Sequence, residues 1–346
     1  MAPTRRALFT TLAVTGAVMA ARRAADMRTA ARFYERVGAT TEPTDVGTFY
    51  GGFPGVWHRS DASESLHSAS LEAVRAMLPT DDLYPVRLPG ERAIVDVSSL
   101  RHDIFSAGGV DGLAMLPYGE VMVAVLVTRR PAPPILPLVA PAASGMAAGA
   151  FVLHLPVTTR AARDAGRAMG YPKFTADMVL EDSVETVRMD LSEGGHRILT
   201  HTVWPAGQAA VAGTPITLYS SHDGQLLEQP VPRFGLRRRR WGRGGGQLEL
   251  GDHQVGEELR ALDIDPQPFV AMYWSATRLS MPGPRPVGPA KPYLGYIGDE
   301  RELGRYIVKY PGTAPIDQYA PFASTARPVA ATVELAGRAE PELVGV

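Results

Sequence analysis

The sequence predicts a mostly β protein of the α+β class, in which antiparallel strands form a barrel or a sandwich with a few helices. The 35 Gly and 30 Pro among 346 residues interrupt the chain too often for long helices. Apolar and alternating runs are short and are separated by turn residues, which is typical of strands. The pairs Asp223-Gly224 and Gly194-Gly195 are hairpin signals, so neighbouring strands are expected to be antiparallel rather than parts of βαβ units.

The N-terminal residues resemble an export signal. Arg5 and Arg6 precede a mostly apolar run over residues 8–21, a pattern typical of the twin-arginine class. The run is shorter than the roughly 20 apolar residues that a membrane span needs, so no stable membrane span is predicted. A non-native extension before Met27 and an amphipathic surface helix are alternatives. A cytoplasmic location is the first prediction, and export through this signal is the alternative.

Caps and periodicity predict the elements that follow. A short helix over residues 26–37 and an irregular lead-in over 40–65 come first. Ser70 can cap a second helix, which ends before Pro79. The predicted strands then lie, in chain order, at residues 93–97, 121–127, 150–155, 178–181, 184–191, 198–204, 216–220, 247–250 and 269–274. Irregular insertions are expected at 131–148 and 235–246.

A third helix is predicted within the series of strands, and a lysine follows its C-terminal end. Thr158 or Thr159 can cap this Ala-rich helix. Gly170 occupies the position of a left-handed C-terminal cap, and Pro172 prevents continuation of the helix. Residues 171–174, Tyr-Pro-Lys-Phe, therefore form a rigid exit from the helix.

Lys173 is the first candidate for chemistry. A lysine in apolar surroundings loses hydration of its ammonium, so its pKa falls and a free amine becomes available near neutral pH. A free amine condenses with a ketone to an imine, which accepts electrons from a breaking bond beside the carbonyl. The alternative is an ordinary lysine whose stem packs on Tyr171 and whose ammonium reaches water.

Glu120 is the second candidate, because this carboxylate opens an otherwise apolar strand. It could transfer protons to a bound ketone or stabilise a protonated imine. An ordinary solvent-facing strand end is the alternative.

Composition and missing motifs exclude several classes of protein. A formal net charge of −1 argues against a general nucleic-acid binder, so the basic run Arg237–Arg240 is interpreted as a solvated edge strand. The absence of Cys excludes disulfides and thiolate catalysis. No nucleotide-binding glycine motif and no G-x-S-x-G elbow is present. The eight histidines are scattered, and no metal site is predicted.

Together these residues resemble the acetoacetate decarboxylase family. The central similarity is AARDAGRAMGYPKFTADM at residues 161–178, with the glycine, tyrosine, proline and lysine of the family's catalytic segment. Tyr118-Gly119-Glu120 is similar to the family's Y-x-E. Weaker similarities lie at residues 70–85, 223–224 and 277–279. Four segments are therefore predicted: an export signal or extension at 1–26, a helical and irregular lead-in at 27–64, the barrel domain at 65–310 and a Pro- and Ala-rich tail at 311–346.

The resemblance implies an antiparallel β-barrel with few helices, a homo-oligomer, and a small keto acid as partner. It makes Lys173 the Schiff-base lysine and Glu120 an active-site carboxylate. Neighbouring residues are expected to contact substrate, namely Tyr171, Phe174 and Tyr118, with Asp96 as a second acidic residue. No cofactor is expected, because the lysine imine itself is the electron sink.

Two departures from the family leave the reaction open. Phe174 stands where the family has a second lysine, and Ser68 aligns with the family's arginine. Decarboxylation of a β-keto acid is the first hypothesis. An aldol condensation or dehydration of a keto acid through the same lysine is the second, and a non-catalytic barrel that binds a hydrophobic ligand is the third.

Overall fold

The structure, a computed structural model, describes residues 55–107, 113–115, 117–139, 148–213, 215–298 and 323–324. The predicted export signal, the helix at 26–37, nearly all of the C-terminal tail and part of the insertion at 131–148 lie outside these residues. In the described part of the chain, no helix is long and apolar enough to cross a membrane. The location and the oligomeric state remain predictions.

Most of the described residues belong to strands, which confirms the mostly β class. The strands are β1 (Gly55–Ser70), β2 (Tyr84–Pro85), β3 (Arg87–Leu88), β4 (Arg92–Ala107), β5 (Leu113–Met115), β6 (Tyr118–Thr128), β7 (Gly149–His154), β8 (Asp177–Asp182), β9 (Val187–Glu193), β10 (His196–Val203), β11 (Ala210–Gly213), β12 (Ile216–His222), β13 (Gln225–Val231), β14 (Arg233–Trp241), β15 (Gly246–Leu250), β16 (Val270–Met281), β17 (Arg285–Pro289) and β18 (Ala323–Ser324). The helices are α1 (Leu71–Met77), α2 (Leu136–Val139), α3 (Arg160–Ala168) and α4 (Gln254–Ala261).

These strands form two sheets in the described residues. The larger sheet follows the order β11-β14-β16-β1-β4-β6-β7-β12-β13-β17, with β2 on β6 and with β3 and β5 on β4. Its pairs are antiparallel except β7 with β12. The smaller sheet follows β15-β10-β9-β8-β18. Because the path of the larger sheet ends at β11 and at β17, its barrel-type arrangement is open among the described strands.

Side chains alternate between the two faces of β4 and β6, and each face has its own hydrophobic cluster. One face, here called the Val95 cluster, includes Val95, Val97, Val121, Val123 and Phe174. The other face, here called the Trp57 cluster, includes Trp57, Ile94, Tyr118, Met122 and Tyr171. Since both faces of the central strands are covered, β6 is buried along almost its whole length.

Helices α1 and α3 begin as the sequence predicts. The Ser70 side chain accepts a hydrogen bond from the backbone N–H of Ala73 and caps α1. The Thr159 side chain accepts one from the N–H of Ala162 and caps α3. Gly170 follows α3 with φ 81°, the left-handed conformation that the sequence predicts there.

The elements predicted from the sequence differ from the structure in three stretches of the chain. Residues 55–64, predicted as irregular, form the first part of β1, which pairs with β4 and β16 in the interior of the sheet. This strand lacks the expected sequence pattern because it buries polar side chains such as Ser63 and His67 instead of alternating apolar ones. The predicted insertion at 235–246 instead contains most of β14. Helix α4, which carries only one short apolar face, was not predicted.

Candidate active site

The segment after α3 places Lys173 by a sharp change of chain direction. A Cβ atom at Gly170 would lie 2.7 Å from Cβ of His222, so both the positive φ and the close packing favour glycine there. Beyond the turn, the N–H of Leu155 donates to Pro172 O and the N–H of Val157 donates to Phe174 O. The segment is therefore held beside residues 155–157 by backbone hydrogen bonds.

Gly166 gives the stem of Lys173 its space. A Cβ atom at this helical position would lie 2.2 Å from Cδ and 2.4 Å from Cε of Lys173. A glycine inside a helix costs about 1 kcal/mol relative to alanine. The close approach of the lysine stem to α3 explains why glycine occupies this position.

Arg167 anchors the backbone of the same segment. Its Nε donates to the carbonyl oxygen of Lys173 at 2.6 Å, and its Nη2 donates to the carbonyl oxygen of Ile297 at 2.6 Å. This residue was not predicted from the sequence. Its position six residues before Lys173, inside the matched segment, was the available signal.

Lys173 and Glu120 form a buried ion pair. Nζ of Lys173 donates to Oε2 of Glu120 at 2.6 Å. Lys173 is only 5% exposed, so the alternative with its ammonium in open water is wrong. The side chain of Glu120 is 14% exposed, so the solvent-facing alternative for this residue is wrong too.

The charge of Lys173 keeps Glu120 ionised. Burial alone would raise the pKa of Glu120, but the Lys173 ammonium, together with the nearby His102 ring, lowers this pKa to about 2. Glu120 is therefore an ionised carboxylate in contact with the amino group of Lys173. A proton acceptor is thus in contact with the amine that has to lose a proton before it attacks a carbonyl.

His102 lies beside this pair and was not predicted. Its Nε2 is 3.9 Å from Oε1 of Glu120, the carboxylate oxygen that does not contact Lys173. Its Nδ1 is 2.7 Å from Oγ of Ser60. His102 pairs with Tyr118 in the register of β4 and β6, and this placement across strands left no local signal in the sequence.

Two buried tyrosines complete the surroundings of Glu120. Tyr118 accepts a hydrogen bond from Nε1 of Trp57 at 3.0 Å, and the hydroxyl of Tyr171 donates to Oε1 of Gln229. Burial, with a further contribution from the Glu120 charge, raises the pKa of both tyrosines well above its ordinary value. Both therefore remain neutral phenols beside the ion pair.

Phe174 and Asp96 lie away from the pair. Phe174 belongs to the Val95 cluster, with its ring centroid 5.1 Å from that of Tyr296. Asp96 is four residues from Leu100, the β4 partner of Glu120, which corresponds to about 13 Å along the strand. Burial and the Glu64 carboxylate raise the pKa of Asp96 well above its usual range. Their roles as substrate contacts remain predictions.

The described residues contain no group of three or more His, Asp or Glu side chains placed to hold a metal ion. A cavity of about 390 Å³ borders Tyr171 and Pro172 on the side of residues 221–224, and neither Lys173 nor Glu120 lines it.

Residues 59–288 match the family model described as acetoacetate decarboxylase. Among solved structures, an acetoacetate decarboxylase from Legionella pneumophila is 17% identical, with 70% of this chain and 90% of that chain covered and a TM-score of 0.49. The enduracididine biosynthesis enzyme MppR in complex with pyruvate is 12% identical, with 67% and 89% covered and a TM-score of 0.48. An acetoacetate decarboxylase-like enzyme from Sphingomonas wittichii RW1 is 15% identical, with 68% and 93% covered and a TM-score of 0.42. A search among curated proteins found no match.

Proposed function

Because the chain belongs to the acetoacetate decarboxylase family, we propose that it is an imine-forming enzyme that decarboxylates a small β-keto acid through Lys173. The observation that carries this proposal is the buried pair of Lys173 and Glu120, with 2.6 Å between Nζ and Oε2. A lysine amine excluded from water, with a carboxylate in hydrogen-bond contact, has the arrangement of a nucleophile with its base.

The condensation starts with a proton transfer inside the pair. Lys173 gives one proton to Oε2 of Glu120, and the neutral amine attacks the ketone carbon to form a carbinolamine. Glu120 then returns its proton to the departing hydroxyl group. One water molecule leaves, and a protonated imine remains on Nζ, so protons and charge balance.

The protonated imine supplies the electron sink for carbon dioxide release. The bond between the α-carbon and the substrate carboxylate breaks, and its electron pair moves to the imine nitrogen, which leaves an enamine and carbon dioxide. Protonation of the enamine carbon and hydrolysis of the imine then release the ketone. Neutral Tyr118 and Tyr171 exclude water from the pair without adding a charge that competes with Glu120.

Reduction with borohydride tests the imine. The chain has three lysines, Lys173, Lys291 and Lys309, so a peptide map assigns a trapped adduct without ambiguity. With a panel of β-keto acids, we expect an added mass on Lys173 and release of carbon dioxide. Lys173→Ala should abolish both, whereas the control Lys291→Ala, at an exposed position, should retain both.

No adduct on Lys173 with any keto acid of a broad panel would reject the proposal. If Lys173→Ala binds the same ligands as the parent chain and the parent chain turns none of them over, the protein is instead a non-catalytic barrel for small ligands.

The second candidate function is an aldol condensation or dehydration of a keto acid through the same imine. It is favoured by Phe174, which follows the lysine directly and points into the Val95 cluster, so that no second lysine stands at this position. The two candidates differ in their products. In the absence of borohydride, carbon dioxide release from a keto acid that forms the imine supports the first, and a new carbon–carbon bond without carbon dioxide release supports the second.

A further inference from the structure

His102 is a buried histidine with one ring nitrogen satisfied and the other directed at the site. It is 2% exposed. Nδ1 lies 2.7 Å from Oγ of Ser60. Nε2 is buried without a hydrogen-bond partner among the described residues and lies 3.9 Å from Oε1 of Glu120.

Electrostatics selects one tautomer of this ring. A proton on Nε2 faces the Glu120 carboxylate and is attracted to it, whereas a lone pair there would face a negative charge. Nδ1 then accepts a hydrogen bond from the Ser60 hydroxyl. The ring is held in this orientation by packing, with centroids 4.6 Å from Tyr118 and 5.7 Å from Trp57.

We propose that His102 is a positioning residue for Glu120, a role that rests on the proposed imine chemistry. Its Nε2–H attracts Oε1 across the 3.9 Å that separates them, and Oε2 is thereby kept turned toward Lys173. The two oxygens of one carboxylate thus have separate partners, His102 on one side and the amine on the other. Nothing in this arrangement requires His102 to touch the substrate.

Positioning by His102 matters most after the proton transfer, when Lys173 and Glu120 no longer carry opposite charges. Once Oε2 of Glu120 has taken the proton from Lys173, the ion pair no longer holds the carboxyl group in place. The contact with His102 then keeps the acid directed at the carbinolamine, to which it must return the proton. A misplacement of about 1 Å can lower a rate by roughly 100-fold.

Two amide variants separate this role from simple packing. His102→Gln places an amide N–H near the former Nε2 and keeps a donor toward Glu120. His102→Asn places its amide near the former Nδ1 and keeps only the Ser60 side. We expect His102→Gln to hold the rate of borohydride trapping and kcat within about threefold of the parent chain, and His102→Asn to lose about tenfold or more in both, with KM nearly unchanged.

The matched control is His201, which is also buried but lies between two serines, Ser65 and Ser99, and contacts no carboxylate of the site. His201→Gln and His201→Asn should retain the trapping rate, and melting temperatures report the cost of burial for every variant. Equal rates for the two His102 variants, whether both normal or both low, would overturn the positioning role.

The tautomer of His102 can be tested in the parent chain itself, so this test does not depend on the folding of any variant. In nuclear magnetic resonance spectra of the parent chain labelled with nitrogen-15, the His102 resonances should show a proton on Nε2 and an accepting Nδ1. A proton on Nδ1 together with an unprotonated Nε2 would overturn the inference. Failure of the parent chain to form any trapped imine would overturn the proposed function and this inference together. Normal trapping with indifferent His102 variants would overturn this inference alone.

Discussion

At the scale of single residues, the site depends on which charges are buried together. Lys173 and Glu120 compensate each other inside the protein, and each would be costly to bury alone. The position after Lys173 carries an apolar side chain instead of a second charge. Phe174 is completely buried beside Tyr296 and His253, so a lysine there would enter the Val95 cluster rather than join Lys173.

Glu120→Gln should lower stability in a way that depends on pH. The pKa of Glu120 falls from 4.5 to about 2 on folding, so its contribution is fully present above 4.5 and is lost as the pH falls toward 2. This difference corresponds to about 3 kcal/mol. Urea unfolding should show a loss of this size at pH 7, and the loss should shrink as the pH falls through this window. The control Glu185→Gln removes an exposed carboxylate and should change the free energy of unfolding little. A difference between the parent chain and Glu120→Gln that stays constant at all pH values would contradict the ion pair.

At the scale of elements, helix α3 and the turn after it position the side chain of Lys173. The cap at Thr159 starts the helix, Gly170 turns the chain, and Arg167 ties the carbonyl of Lys173 to residue 297. The lysine stem lies directly on α3 at Gly166. The helix therefore both orients the segment and forms one wall around the amine.

Gly166→Ala should fail to give the usual gain of an alanine in a helix. Alanine is favoured over glycine there by about 1 kcal/mol, but the new methyl group would stand 2.2 Å from Cδ of Lys173. We expect no increase in the melting temperature and a fall in borohydride trapping of about tenfold or more. In the control, Ala165→Gly should cost about 1 kcal/mol while trapping is retained. A more stable Gly166→Ala variant with normal trapping would show that the stem can move aside.

At the scale of the whole molecule, a chain of buried hydrogen bonds joins the two sheets. His67 Nδ1 contacts the carbonyl oxygen of Asp265, and Oγ of Ser65 lies between Nε2 of His67 and Nε2 of His201. Nδ1 of His201 ends the chain at Oγ of Ser99. Burial lowers the pKa of His67 to about 4 and the pKa of His201 to about 3, so both rings are neutral at pH 7. Since the carbonyl can only accept and each neutral ring carries one N–H, each donor along the chain is fixed in turn. The chain links β1 and β4 of the larger sheet to β10 of the smaller one.

Buried neutral histidines make the fold sensitive to acid. Burial lowers the pKa of His201 to about 3 and the pKa values of His67 and His154 to about 4. In the unfolded chain these histidines bind protons near pH 6.5. Their contribution to the free energy of unfolding is therefore complete above pH 6.5 and is lost as the pH falls below it. Each group contributes about 1.4 kcal/mol per pH unit in this window. His201→Gln should therefore reduce the slope of unfolding free energy between pH 6 and about 4 by this amount, measured by urea unfolding. The control His196→Gln, at an exposed position, should leave the slope close to that of the parent chain.

Much of the fold and part of the site were predictable from short windows of sequence. The strand-rich class, the caps of α1 and α3, the turn at Gly170 and the lysine that follows it all depend on residues close together in the chain. The irregular prediction for residues 55–64 failed because β1 is held by pairing with distant strands and buries polar groups that only those partners satisfy.

The sequence by itself determined that Lys173 leaves a helix on a rigid segment and that Glu120 opens an apolar strand, because caps, prolines and alternation act locally. Only the tertiary structure decided that these two side chains meet, that Gly166 and Arg167 support the lysine, and that His102 rather than Asp96 stands beside the carboxylate. The physical reason is the register between strands. A shift of a few residues along β4 would leave every local pattern intact and would bring a different side chain to Glu120.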